Sequence, residues 1–282
     1  MLTLDKKRMM LGGLLPVFAA AIYFSTGTQR DEILRDPDTL EKLDEPGQGA
    51  CPAGASDSGW GPDMVRLPED FCIDKTEVTR GQYEAWLDTS PPTSGQTSAC
   101  SNNDDFTPSC GWKPGSDQDL PVVCVDWCDA KAFCDAAGKR LCGRIGDGGG
   151  YPFESYHDAS VSEWHAACTS GGSYDYPYGN ELDTTICRGG DAEDYTTWGL
   201  GDVGSFSGCH SPDDPYSDVY DLSGNAAEWD NSCDGDGPDD GCRIRGGSFE
   251  HNEHGLRCAM ARDLHWPRMR RVGAIGFRCC AD

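Results

Sequence analysis

The sequence predicts a disulfide-rich domain of mixed helix and strand with little regular structure. Three observations carry that expectation. Sixteen cysteines are spread from Cys51 to Cys280, an even number without recurring zinc-finger spacing, so they read as bridges formed in an oxidising compartment. Three short stretches have helical periodicity and legible N-terminal signals. Most of the remainder is dense in Gly, Pro, Asp and Ser, which favours turns over long elements.

Each element has a local reason. In EVTRGQYEAWL, Thr79 is the expected N-cap and Gln82 completes a capping box, placing Tyr83, Trp86 and Leu87 on one face. In DWCDAKAFCDAAG, Trp127, Ala130, Cys134 and Ala137 recur at helical spacing, and Gly138 suits the position after the C-cap. SVSEWHAAC repeats the capping-box pattern with Ser160 and Glu163. Short strands are expected around LPVVCV, CRIRGGSF and AIGFRC.

The N-terminus points to export. Lys6, Lys7 and Arg8 precede an uncharged run from Met9 to Phe24, followed by Ser25, Thr26 and Gly27. Residues 1–27 therefore read as a signal peptide or, if uncleaved, a signal anchor. The run is short of the roughly 20 residues a spanning helix needs. Residues 28–50 are rich in Asp, Glu and Pro and read as a flexible polar linker, leaving residues 51–282 as one domain. The expected location is extracytoplasmic: periplasm, cell surface or outside the cell. Any membrane association is expected only through the N-terminal segment.

Charge narrows the partners. Acidic residues outnumber basic ones 48 to 23, a formal net charge of -25 that repels nucleic acid and suits hard cations. DGDGPDDG resembles an EF-hand loop only superficially, because Arg245 would occupy the position of its last carboxylate; an acidic loop closed by Cys233 and Cys242 fits better. Arg262, Arg268, Arg270 and Arg271 run against the acidic trend and are expected to find carboxylate partners, or else an anionic group. There is no GxSxG, P-loop or HExxH motif.

Five segments in order carry a resemblance: FCIDKTEVTRGQYEAWL, PVVCVDWCDAKAFCDAAGKRL, SEWHAAC with YPYGN, VYDLSGNAAEW, and RIRGGSF with GFRCC. Together they resemble the formylglycine-generating enzyme (sulfatase-modifying factor) family, from about Trp60 to Asp282. The resemblance implies a single α+β domain akin to C-type-lectin-like folds. It departs from the family in about twenty Gly-rich residues inserted between Leu141 and Ser162. It implies two disulfides, Cys134–Cys279 and Cys168–Cys258, each closing a long loop and stabilising by about 2–4 kcal/mol. Sequence proximity adds Cys100–Cys110, Cys187–Cys209 and Cys233–Cys242 as weaker expectations.

The resemblance also implies Ca²⁺ at DLSGNAAE, with carboxylates from Asp221 and Glu228 and carbonyls from Gly224 and Ala226; the alternative is a polar turn capped by Asn225. A second family calcium site is not expected, because Arg188 stands where an Asn ligand belongs. Active members oxidise a protein cysteine with copper and O₂ on a thiol pair that follows the GGS motif. Here Ser248 matches the serine, but His251 occupies the first thiol position, and the second falls in a deletion or on His254. Ala227 replaces the neighbouring Trp. Copper is therefore not expected, and Ser248, His251 and His254 are candidate residues of a degenerate cleft.

Three functions follow from these residues. The first is a non-catalytic binding or scaffold module for a peptide, protein or glycan. The second is a formylglycine-generating oxidase whose thiols come from elsewhere, with Cys280 the candidate. The third is a mononuclear metal enzyme using His251 and His254, since H-x-E-H, with Glu253 between them, offers imidazole and carboxylate ligands to Zn²⁺, Fe²⁺ or Cu²⁺. Surface histidines in a loop are the plainer reading of that stretch.

Overall fold

A computed structural model of the chain describes residues 50–52, 54, 61–190, 199–260 and 265–282. The chain divides into two units, Met1–Gln48 and Gly49–Asp282, of which the second is described here. The signal and linker expectations for residues 1–27 and 28–50 lie outside the described residues, apart from Ala50. Among the described residues no helix is long and apolar enough to cross a membrane.

The first helix, α1 (Arg80–Leu87), begins at Thr79, whose side chain accepts from Gln82 N while Gln82 Oε1 accepts from Thr79 N. Removing that hydroxyl in T79A is expected to cost about 1 kcal/mol, read as a shift in the urea midpoint at unchanged m-value. The second, α2 (Trp127–Ala136), has the same device with Asp126 as cap and Asp129 as its reciprocal partner. It ends where Gly138 adopts φ +71°. The third, α3 (Glu163–Thr169), corrects the sequence expectation. Its cap is Ser162, whose hydroxyl accepts from His165 N, whereas Ser160 is held by Asp158. Glu163 is drawn away from a capping box by Arg140, which it grips through both oxygens at 2.6 and 2.7 Å. A four-residue helix, α4 (Glu253–Leu256), follows the GGS turn.

Strands are short and gather into two sheets. One has the order β1 (Met64–Leu67), β2 (Phe71–Asp74), β8 (Cys279–Ala281), β3 (Arg140–Leu141), antiparallel throughout. The other has the order β6 (His265–Pro267), β5 (Gly241–Arg245), β4 (Ala227–Cys233), β7 (Ile275–Gly276), with β4 and β7 parallel. LPVVCV does not form a strand. Its buried backbone is satisfied singly instead, by a bridge from Pro121 to Thr79 and by donation from Val122 N to Val78 O and Cys124 N to Val272 O.

The larger core collects Tyr83, Trp86, Phe133 and Phe277 with Trp229. Tyr83 stacks on Phe133 at 5.6 Å, and Phe277 meets Phe133 edge-on at 5.4 Å, the separations aromatic quadrupoles favour. A second core packs Trp164 of α3 with Leu67, Phe71 and Leu222. The inserted segment after Cys142 is tied to β5 by its aromatics. Arg243 lies between the Phe153 and Tyr156 rings, at 3.6 and 3.9 Å from their centroids. Its Nε donates to Phe153 O, and Arg245 donates to Tyr156 O. The insertion thus braces the strand that runs directly into the GGS turn.

All sixteen cysteines are bridged in eight disulfides. The structure bonds Cys134 to Cys279 and Cys168 to Cys258. Cys187–Cys209 and Cys233–Cys242 are present too. The pairing Cys100–Cys110 is replaced by Cys100–Cys128 and Cys110–Cys124, because Cys100 packs against the first turn of α2 and its sequence neighbour does not.

Candidate functional site

The GGS turn closes on itself. Ser248 is fully buried. Its backbone N donates to His251 Nδ1 at 3.0 Å, and its hydroxyl lies 2.9 Å from the same nitrogen. Glu250 N donates to Ser248 Oγ, and His251 N to Ser248 O. With a backbone N–H aimed at it, Nδ1 is the acceptor, so the neutral ring carries its proton on Nε2. Burial lowers the His251 pKa and keeps the ring neutral, with Glu250 acting the other way. The serine–imidazole pair is thus hydrogen-bonded within the GGS turn itself. His254 is exposed on α4, beyond that closed turn. Among the described residues, no group of three or more His, Cys, Asp or Glu side chains is placed to hold a metal ion.

Behind the turn lies a buried charged cluster formed by Glu77, Asp221, Asn225, Glu228 and Arg278. Glu228, on β4, is gripped by Arg278 through both oxygens at 2.8 Å and also accepts from Trp164 Nε1 at 2.8 Å. Asp221 accepts from Gly204 N through Oδ2, and its Oδ1 is buried with no donor. Glu77 Oε1 accepts from Asn225 Nδ2 and Ala226 N, and its Oε2 is likewise buried without a donor. Desolvation, followed by repulsion from Asp221, raises Glu77 well above the carboxylate range. Desolvation raises Asp221 to about 6. Gly224 is required here, since at φ +82° a Cβ would stand 2.1 Å from Arg188 O. That carbonyl in turn accepts from Asn225 N.

The calcium set implied by the resemblance is therefore only partly free to act. Asp221 fits a hard cation, because one buried oxygen lacks any donor. Gly224 and Ala226 sit beside it in the same turn. Glu228 is already compensated by a guanidinium and an indole N–H. The fold adds Glu77 to this cluster, and its only sequence signal is a carboxylate just before the capping box. Arg188 donates to Gly199 O.

The other expected residues lie elsewhere. Arg271 reaches Asp126 at 2.9 Å and Asp129 at 3.0 Å, and Arg268 lies over the Trp127 ring at 4.9 Å while donating to Gly235 O. Arg270 lies over Trp266, and Arg262 is outside the described residues. Cys280 is bonded to Cys142, which corrects its candidacy as a free thiol. His165, on the inner side of α3, faces Arg245 of β5 at 3.4 Å. Desolvation, helped by Arg245, lowers its pKa from 6.5 to about 3. The sign follows: the unfolded chain takes up a proton below pH 6.5 and the folded one does not. This contribution is complete above pH 6.5 and falls by about 1.4 kcal/mol per unit toward pH 3. Relative to H165Q, wild type is expected to lose roughly 2 kcal/mol between pH 7 and pH 5. Urea titrations at both pH values check this, and parallel pH profiles would refute it.

Two small antiparallel-rich sheets, capped helices and helix-to-strand disulfides define a protein of the formylglycine-generating-enzyme fold. The profile of the sulfatase-modifying factor enzyme 1-like domain matches residues 41–282, and the chain belongs to that family. No protein of curated function matches it in sequence. Among solved structures it is similar to CarF, at 21% identity over 75% of this chain and 85% of that one, with a TM-score of 0.50. It is also similar to PvdO from Pseudomonas aeruginosa, at 22% identity over 75% and 80% respectively, with a TM-score of 0.50. At these identities the likeness is one of fold.

Proposed function

We propose that this protein is an extracytoplasmic, catalytically degenerate member of the family that binds a peptide or glycan instead of oxidising a cysteine. The observation that carries the reading is the sulfur inventory. Copper oxidation in the family depends on a thiol pair, a soft donor set for Cu(I). Here all sixteen cysteines are consumed in bridges, and the turn where the pair belongs holds Ser248 hydrogen-bonded to His251. The oxidase alternative loses its candidate thiol to the Cys142–Cys280 bridge. A metal enzyme on His251 and His254 gains no support from an imidazole turned inward on its own serine. Eight bridges suit an oxidising environment outside the cytoplasm. A structural calcium ion at the Asp221 turn belongs to the same reading.

The test is alkylation of the denatured, unreduced protein, read by peptide mass spectrometry, together with an assay on a cysteine peptide with copper and O₂. No labelled cysteine and no formylglycine product are expected. Two labelled cysteines with turnover would restore the oxidase.

A further inference from the structure

We propose that Arg243 anchors a binding site for a carboxylate, and that the ligand presents this group on a uronic acid sugar. The proposal rests on the binding-module reading and gives it a place and a ligand chemistry. The walls of the site come from the segment inserted after Cys142. Phe153 and Tyr156, both half-buried, hold the Arg243 guanidinium between their rings at 3.6 and 3.9 Å. His265, opposite Arg243 on β6, is exposed and meets Phe153 edge-on at 5.3 Å. Arg243 itself is 3% exposed. Its Nε donates to Phe153 O at 2.8 Å. Nη1 and Nη2 find no acceptor among the described residues, yet they are not sealed from water as Arg268 Nε is.

An arginine this deeply placed ordinarily holds a carboxylate. The chain has 48 acidic residues to choose from, and Arg140, Arg271 and Arg278 each grip at least one. Arg243 grips none among the described residues, and Glu154 acts on it only through charge. Burial, with Arg245 beside it, lowers its pKa, as befits a desolvated cation without a contact anion. The rings cover both faces of the guanidinium and Nε is spent, so a ligand meets the edge formed by Nη1 and Nη2. Two N–H donors in one plane match a carboxylate bidentately. The rings stand about one planar group apart, so a flat carboxylate fits between their edges where a tetrahedral sulfate crowds them. A peptide terminus fits less well. The edge strand beside the site, β6, has three residues and ends in Pro267, which has no N–H, so a peptide backbone has little to pair with. A sugar needs no strand pairing, and the His265 imidazole offers its hydroxyls a hydrogen-bonding partner.

The experiment titrates the full, oxidised chain at low salt with glucuronate, glucose, glucose 6-sulfate and N-acetylglycine, read by isothermal calorimetry. Glucuronate is expected to bind saturably in the millimolar range, and each of the others at least about tenfold more weakly. R243K keeps the charge but loses the fork, and is expected to weaken glucuronate at least about tenfold. E154Q changes an exposed side chain, removes a nearby negative charge, and is expected to tighten glucuronate roughly twofold. It keeps the assignment testable if R243K does not fold. Equal binding of glucose, an R243K affinity like that of wild type, or no response to E154Q would remove Arg243 as the anchor. Equal or tighter binding of glucose 6-sulfate or N-acetylglycine would overturn the uronate assignment. If glucuronate does not saturate wild type, this site fails while the binding-module reading, which rests on the sulfur inventory, stands. That reading falls instead if the alkylation and turnover assay reveals an oxidase.

Discussion

R278M is expected to destabilise the domain by about 3–5 kcal/mol, the cost of removing one partner from a buried ion pair. Arg278 and Glu228 are each 1% exposed at the side chain, so neither can turn to water. Loss of the guanidinium leaves Glu228 with only the Trp164 N–H, and strips Asp74 O and Tyr220 O of their donors. It also removes a charge that offsets Asp74, Glu77 and Asp221, all of which count Arg278 among their stabilising neighbours. The double variant E228M/R278M removes the unpaired charge and is expected to recover part of the loss, because a buried ion pair is a poor competitor against apolar packing. Guanidinium titrations monitored by far-UV circular dichroism decide it. A single-variant loss below about 1 kcal/mol would mean that the pair is solvated in solution and the cluster is open.

The same cluster shows where reading the sequence succeeds and where it stops. Local rules served where the partner is three residues away. Thr79 and Gln82 form their capping box because backbone geometry fixes their distance before any tertiary contact exists. The same rule misplaced the cap of α3, because Ser160 and Ser162 both stand near Glu163 and tertiary forces chose between them. Asp158 captured Ser160, and Arg140, more than twenty residues upstream, captured Glu163. Proximity likewise misled for Cys100, whose partner Cys128 arrives on α2 from beyond a long loop. Family resemblance reached further, since GFRC, GNAAE and the GGS turn keep their order in the chain. It could not show that Glu228 answers Arg278, nor that Glu77 faces Asp221. One signal was available: an arginine inside the apolar strand-like stretch AIGFRC had to be buried with an acid.

Deleting the adjacent bridges at Cys279 and Cys280 is expected to cost more together than the sum of the separate losses. Cys134–Cys279 ties α2 to the end of the chain, and Cys142–Cys280 ties the residue after β3 to the next position along. In the unfolded chain each bridge makes the other's loop short. With one intact, the second closes a ring of only about ten residues, worth about 2.5–3 kcal/mol in chain entropy. With both gone, the long loop opens as well, shortened only by Cys168–Cys258, and the combined loss is about 7 kcal/mol. C134A/C279A and C142A/C280A should therefore each remain folded, while the quadruple variant should unfold at ambient temperature. Alanine suits the test because all four sulfurs are buried and serine would hide an unpaired hydroxyl. Additive losses would mean that the two bridges act by native packing and not by restraining a shared unfolded loop. Super-additive losses would make the last four residues of the chain the common anchor of β2, β3 and α2, the frame from which β2 leads on to Glu77 and on which Arg278 is aimed at Glu228.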